Sequence, residues 1–169
     1  GPVAEHWPGF GAHGKGAITI RQLLNHRGGL PYLDSKLTLR DCTDPAQAPK
    51  VLRALEAQQP AWAAGERQAY HAITYGLYVS ELFERIAGEP MGPFLQRELF
   101  DPVGSDARLG TPSEHDAKHA TLYGPSFGKR ISTMVAAAAW TPNSSEARVF
   151  RAVLKPNSIP RRAFANPSA

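Results

Sequence analysis

Apolar residues recur along this chain at helical spacing in several short stretches, and period-two alternation is nearly absent. The first stretch is Ile20, Leu23 and Leu24. It follows Thr19, with Gln22 three residues on, the spacing at which two side chains cap each other's backbone N–H groups. The pattern predicts a short helix that Gly28-Gly29 stops. Asp44-Pro45 marks a second start, with Leu52 and Leu55 on the buried side and Pro60 as the far limit. The most regular pattern begins after Tyr70, where Leu77, Leu82, Phe83 and Ile86 keep helical register until Gly88-Glu89-Pro90. Phe94, Leu95 and Leu99 predict one more short helix before Phe100-Asp101-Pro102-Val103-Gly104. Thr111-Pro112-Ser113-Glu114 repeats the cap logic for a helix to about His119. Residues 128–141, through the Ala136-Ala139 run, and residues 144–154, with Val149, Val153 and Leu154 in register, complete the helical pattern. Residues 1–18 hold Trp7, Pro8, Phe10 and five glycines and suit an ordered loop with aromatic anchors. Residues 156–169 carry three prolines and read as coil.

The expected fold class is therefore a mostly α segment with little sheet of its own, a helical layer that lacks an evident scaffold to pack on. Its 169 residues, 42% hydrophobic and 20% charged, place it among globular chains and away from those that stay disordered, with room for one domain. The net charge of +4 comes from scattered residues such as Arg21, Arg27, Arg40, Arg67 and Lys118, with one Arg161-Arg162 pair. Scattered charge favours solubility over a nucleic-acid partner. Cys42 is the only cysteine, which excludes an intrachain disulfide, and a cysteine-based zinc site would need ligands from elsewhere. No apolar run nears membrane-spanning length, the longest small apolar stretch being residues 135–140, so no membrane partner is expected. A soluble chain is the expectation, with the compartment left open and the cytoplasm favoured.

Several motifs invite chemistry and fall short of it. His115 and His119 are four apart beside Asp116, but two histidines in a polar stretch are too few for a metal, and none is expected. His26 follows a short apolar face and precedes two glycines, where it reads as a structural cap of the helix end. Trp7, Trp62 and Trp140 read as core or pocket-wall aromatics. Gly14-Lys15-Gly16 lacks the strand and glycine spacing of a phosphate loop.

The segment Ile18-Thr19-Ile20-Arg21-Gln22-Leu23-Leu24-Asn25-His26-Arg27-Gly28-Gly29-Leu30-Pro31 resembles the ITxRxLLxHxxGLP stretch of the serine beta-lactamase-like superfamily. That superfamily includes class C beta-lactamases, serine D-Ala-D-Ala peptidases and related carboxylesterases, and the esterase-like branch is the more similar. Trp62-Ala63-Ala64-Gly65 followed by Tyr70-His71-Ala72-Ile73-Thr74-Tyr75-Gly76 resembles its tryptophan-to-tyrosine segment, and Leu99-Phe100-Asp101-Pro102-Val103-Gly104 resembles its proline-leucine-glycine turn. Order and spacing agree over roughly residues 3–165. The implied fold is α+β, with most of the antiparallel sheet outside this chain. The chain is then the central, mainly helical part of a longer hydrolase domain, whose other parts or a second chain are its structural partners.

The resemblance implies a serine hydrolase that forms an acyl-enzyme on small ester or amide substrates, without a cofactor. Such an enzyme needs a Ser-x-x-Lys nucleophile pair, a Tyr-x-Asn and a Lys-Thr-Gly or His-x-Gly strand segment. Tyr70 stands at the tyrosine position and is the implied catalytic residue. An ordinary phenol is a weak base at neutral pH, so the role calls for neighbouring lysine charge or a proton relay. Ala72 replaces the motif's asparagine and removes an amide able to bond lysine and substrate, which weakens beta-lactam recognition and leaves ester hydrolysis open. His71 and Ala72 are candidate substrate-pocket residues. Ser126 and Lys129 satisfy Ser-x-x-Lys in spacing, but they follow the tyrosine instead of preceding it, and Gly124, Pro125 and Gly128 disfavour the helical turn that would align them. The nucleophile is therefore expected outside this chain, with a non-catalytic binding or structural module of the same fold as the alternative.

Overall fold

The computed structural model describes residues 1–71, 74–110, 128, 132 and 136. They divide into two compact units, one holding Gly1–Phe94 and one beginning at Leu95. Five α-helices are described, α1 (Ile20–Leu24), α2 (Leu39–Thr43), α3 (Ala48–Ala57), α4 (Thr74–Ala87) and α5 (Met91–Leu95). Among the described residues there is no strand, only an antiparallel bridge between Pro2 and Thr19. Of the expected 128–141 helix, Gly128, Ser132 and Ala136 are described and are helical. The helices expected over 111–119 and 144–154, the 156–169 coil, Ala72, His115, His119, Ser126, Lys129 and Trp140 lie outside the described residues.

The glycine-rich opening is an ordered loop built on two 3₁₀ turns, Val3–Glu5 and Pro8–Gly11. The Val3 N–H donates to Ile18 O at 2.9 Å and the Ile20 N–H to Gly1 O at 3.1 Å, closing residues 1–20 into a ring of chain. Trp7 and Phe10 then point inward and are fully buried. Their rings lie 5.4 Å apart, and Tyr78 of α4 completes the group at 6.3 Å from Trp7 and edge-on to Phe10 at 5.9 Å. Val3, Ile18, Leu23, Leu30, Leu55 and Leu82 pack around these rings as one core.

Lys15 is fully buried at the inner side of the loop, although its sequence context offers no sign of it. Its ammonium donates to the carbonyls of Glu56 and Gln58 at 2.6 and 2.5 Å, at the C-terminal end of α3 where helical carbonyls lack partners. Trp7 Nε1 donates to Glu56 Oε1 at 2.7 Å and ties the loop to the same helix end. Burial pulls the Lys15 ammonium down to about 8, against the pull of the Glu56 carboxylate in the other direction.

The capping box at the start of α1 forms as the spacing predicts, with Thr19 accepting from Gln22 N at 3.1 Å and Gln22 accepting from Thr19 N at 2.9 Å. A second box, Thr38 with Asp41, starts α2, a helix the apolar pattern does not predict. Asp44 caps the 3₁₀ turn Pro45–Gln47, and α3 follows it with Val51, Ala54 and Leu55 buried and Leu52 half-buried. In α4 the buried stripe is Thr74, Tyr78 and Leu82, each four residues from the next. This corrects the expected face, because Leu77 and Phe83 are only half-buried and Ile86 is exposed. Gly88, with φ +75°, ends α4. In the second unit a π-helical turn, Gln96–Phe100, leads into a 3₁₀ turn, Asp101–Val103, and a left-handed Gly104. Leu99 is exposed there instead of closing a packed face.

Candidate functional site

The end of α1 sets the position of everything around Tyr70. His26 has φ +56°, its N–H donates to Leu23 O at 3.1 Å, and the Arg27 N–H donates to Gln22 O at 2.7 Å. These two bonds are the Schellman closure, with His26 at the left-handed position that glycine or asparagine normally takes. The helix thus stops at His26, two residues before the glycines expected to stop it. A left-handed conformation at a residue with a full side chain costs on the order of 1 kcal/mol or more and draws attention to what the side chain does.

Past the turn, the chain from His26 to Gly29 serves as a rail for the loop that delivers Tyr70. Ala61 N donates to Gly29 O at 2.7 Å, Gly65 N to Arg27 O at 2.8 Å and Ala69 N to His26 O at 3.1 Å. The Arg27 guanidinium donates to Gly65 O, and Gln68 Nε2 donates to Asn25 O at 3.2 Å. Half-buried Trp62 closes the loop on itself, Nε1 donating to Arg67 O at 3.3 Å. Gly29 has φ +74°, and a Cβ there would fall inside the contact radius of the Trp62 carbonyl oxygen. Gly29→Ala is therefore expected to cost about 1–3 kcal/mol through its backbone conformation alone. The loss would appear as a lowered melting temperature, and an unshifted melt would contradict this packing of the loop.

Tyr70 emerges at the end of this loop with 71% of its surface exposed. Its ring meets the His26 ring at 4.9 Å in an edge-on arrangement. His26 also faces His71 at 4.7 Å and Tyr75 at 4.5 Å, so four aromatic or imidazole rings share one corner between the end of α1 and the start of α4. His71 is 3% exposed, lies inward of Tyr70, and has Nδ1 3.2 Å from Thr74 Oγ1. Its carbonyl accepts from Tyr75 N at 3.2 Å and so joins Tyr70 directly to the first turn of α4. His26 Nδ1 is buried without a hydrogen-bond partner among the described residues.

The corner is built to keep its imidazoles neutral. Burial, reinforced by the neighbouring His26, pushes His71 down to about 4, and burial also lowers His26. The unfolded chain, where a histidine has its ordinary value of 6.5, binds the proton first as pH falls. The stability His71 contributes is thus fully present above pH 6.5 and is lost as pH falls towards 4. Each unit of depression corresponds to about 1.4 kcal/mol. An NMR titration of the His71 ring is expected to show a midpoint near 4, with urea stability falling between 6.5 and 4. A midpoint at the ordinary value would contradict the burial.

A separate cleft of about 360 Å³ runs along the face of α4 that carries Leu77, Ser80, Glu81 and Glu84, with Asp41, Cys42 and Asp44 opposite. Among the described residues no lysine or arginine lines it. Developing negative charge on a carbonyl oxygen would meet the carboxylates of Asp41, Asp44, Glu81 and Glu84 there, beside the hydroxyls of Thr43 and Ser80. The Cys42 thiol is pushed up by burial and by the Asp41 carboxylate, the reverse of an activated nucleophile. Among the described residues no group of three His, Cys, Asp or Glu side chains is placed to hold a metal ion. No helix of the described residues is long and apolar enough to cross a membrane.

Of the residues singled out in the sequence, the structure brings Tyr70 and His71 together, one outside and one inside the same corner, and leaves Ala72, Ser126 and Lys129 undescribed. His26 joins them in a position that its reading as a helix cap did not convey. Its available signal was its place inside the segment 18–31, where a histidine stands two residues before a pair of glycines.

A family model described as Beta-lactamase matches residues 1–160. The esterase/beta-lactamase LipL of Mycobacterium tuberculosis (strain ATCC 25618 / H37Rv) is 37% identical over 112 residues, 66% of this chain and 25% of that protein. Among solved structures, a novel penicillin-binding protein homolog from Caulobacter crescentus superposes with a TM-score of 0.65 at 30% identity, over 73% of this chain and 32% of that one. A family VIII carboxylesterase gives a TM-score of 0.65 at 29% identity, over 72% and 33%. EstA from Arthrobacter nitroguajacolicus Rue61a gives 0.59 at 28%, over 86% and 42%. The chain thus spans about a quarter of the length of the curated relative it matches.

Proposed function

This chain belongs to the beta-lactamase family, and on that premise we propose that it is the central, helical part of a serine hydrolase acting on small carboxylic esters, with Tyr70 as the proton relay. The carrying observation is Tyr70 itself. It sits at the family's tyrosine position, exposed at the end of a loop held by three backbone hydrogen bonds, where a substrate and a nucleophile from the rest of the protein have access. The names of two relatives, an esterase/beta-lactamase and a family VIII carboxylesterase, support esters as the substrate class. Ala72 in place of asparagine supports the same choice over beta-lactams, since an amide able to bond a lactam side chain is absent at that position.

In the proposed reaction a serine oxygen, on a Ser-x-x-Lys outside residues 1–169, attacks the ester carbonyl carbon. Tyr70 Oη relays the serine proton as the C–O bond forms, accepting it while its own phenol proton passes to the neutral amine of that lysine, and the same relay run in reverse protonates the departing alkoxide, leaving an acyl-enzyme that water then hydrolyses. The Ser126 and Lys129 pair is the lesser candidate for the nucleophile, because it follows the tyrosine in the chain. No cofactor takes part. The partners are the small ester or amide substrate and the remaining parts of the hydrolase domain.

The intact protein, given short-chain aryl esters and a chromogenic beta-lactam, is expected to hydrolyse the esters with a burst of leaving group and the lactam more slowly. No turnover of either would overturn the proposal. The departure at Ala72 also favours a second reading, a binding or structural module without catalysis. Saturable binding of a carboxylate or peptide with no covalent adduct is its distinguishing result.

A further inference from the structure

The His26 side chain has no role in closing α1, because the closure is made by backbone groups alone. Glycine or asparagine would take φ +56° with less strain and would leave no buried ring nitrogen unpaired. The imidazole is nevertheless placed at the centre of the corner, against Tyr70 at 4.9 Å, His71 at 4.7 Å and Tyr75 at 4.5 Å. For His71 and Tyr75 it is one contact among several. His71 is also held by Thr74 and faces Tyr78 at 6.3 Å, and the Tyr75 ring faces His71 at 5.4 Å. For Tyr70, whose residue is 71% exposed, the edge-on imidazole is the one ring contact among the described residues, and it limits the swing of the ring.

We propose that His26 is the positioning residue of Tyr70, its imidazole holding the exposed tyrosine ring at the angle from which the phenol reaches serine and leaving group. The proposal rests on the reading of Tyr70 as proton relay. A relay must lie within hydrogen-bond reach of the proton it moves, and a misplacement of about 1 Å is enough to slow a reaction ~100-fold. A ring seated on a helix-end turn and railed in by the 61–69 loop supplies that fixity without blocking the open side of the site.

The test compares His26→Gly, His26→Asn, Tyr70→Phe and the double variant His26→Gly/Tyr70→Phe in the intact protein, each assayed for melting temperature and for kcat and KM on an aryl ester. Glycine and asparagine both accept the left-handed turn, so both variants are expected to keep or raise the melting temperature. In both, kcat is expected to fall ~10-fold to ~100-fold with KM changed less than ~3-fold. The double variant is expected to be no slower than Tyr70→Phe alone, because the imidazole acts through the phenol. Retained kcat in folded His26→Gly, beside a crippled Tyr70→Phe, would overturn the positioning role alone. So would losses that multiply in the double variant, or loss of the folded state in both His26 variants, which would make the ring a fold element. Full activity of Tyr70→Phe would overturn the relay and the positioning role together.

Discussion

Tyr70→Phe in the intact protein is expected to slow acylation by an ester substrate ~100-fold to ~10,000-fold, the range that removal of a general acid-base group usually costs. The substitution isolates chemistry from structure unusually well. The residue is 71% exposed, so loss of its hydroxyl strands no buried partner, and the phenyl ring keeps the edge-on contact with His26. Its stability effect should stay within about 0.5 kcal/mol, as for exposed positions generally. Single-turnover measurement of the acylation step, alongside a melting curve, checks both halves of the expectation. An unchanged acylation rate would remove Tyr70 from the mechanism, and the site would have to be sought elsewhere on the chain.

The largest effect on stability is expected at Tyr78. It is fully buried on the inner stripe of α4 and touches Trp7, Phe10 and His71 through its ring. Tyr78→Ala would empty a volume that close-packed neighbours cannot refill, at a cost of about 3–5 kcal/mol. It would also remove the inner support of His71 and so loosen the corner that carries Tyr70. Tyr78→Phe should cost only about 1 kcal/mol or less, because the hydroxyl reaches Leu55 O at a long 3.4 Å. Burial pushes the phenol far above its ordinary value, so the group stays neutral throughout the accessible pH range. Urea midpoints for the two variants, at unchanged denaturant slope, measure the difference. Equal losses would show that the hydroxyl, and not the ring, is what the core needs.

How much of this was readable beforehand depends on how local each determinant is. The capping box of Thr19 and Gln22 depends on four consecutive residues and was legible, as was the ordered, aromatic-anchored loop of residues 1–18. The extent of α4 was legible too, but its inner face was not. The stripe is Thr74, Tyr78 and Leu82, and a pattern drawn from Leu, Phe and Ile passes over a threonine and a tyrosine that burial nonetheless selects. Thr38 and Asp41 form the same box as Thr19 and Gln22, yet α2 is five residues long and carries too little apolar periodicity to announce itself. The burial of Lys15 was illegible in principle from local sequence, since its carbonyl partners lie 41 and 43 residues away. Tyr70 came from family resemblance, and its exposure at the end of the 61–69 loop could not be read from its local sequence. His26 shows the limit of such reading: its cap position was visible in the sequence, whereas the three rings converging on it come from residues 44 to 49 positions further along the chain.

The most direct test of the central claim is the intact mass of the complete protein after exposure to a serine-acylating probe, followed by peptide mapping of the adduct. One adduct per polypeptide, on the serine of a Ser-x-x-Lys outside residues 1–169 and formed far more slowly in Tyr70→Phe, is the predicted result. No adduct at saturating probe would contradict the account and leave a non-catalytic module, and an adduct on Ser126 would contradict the placement of the nucleophile.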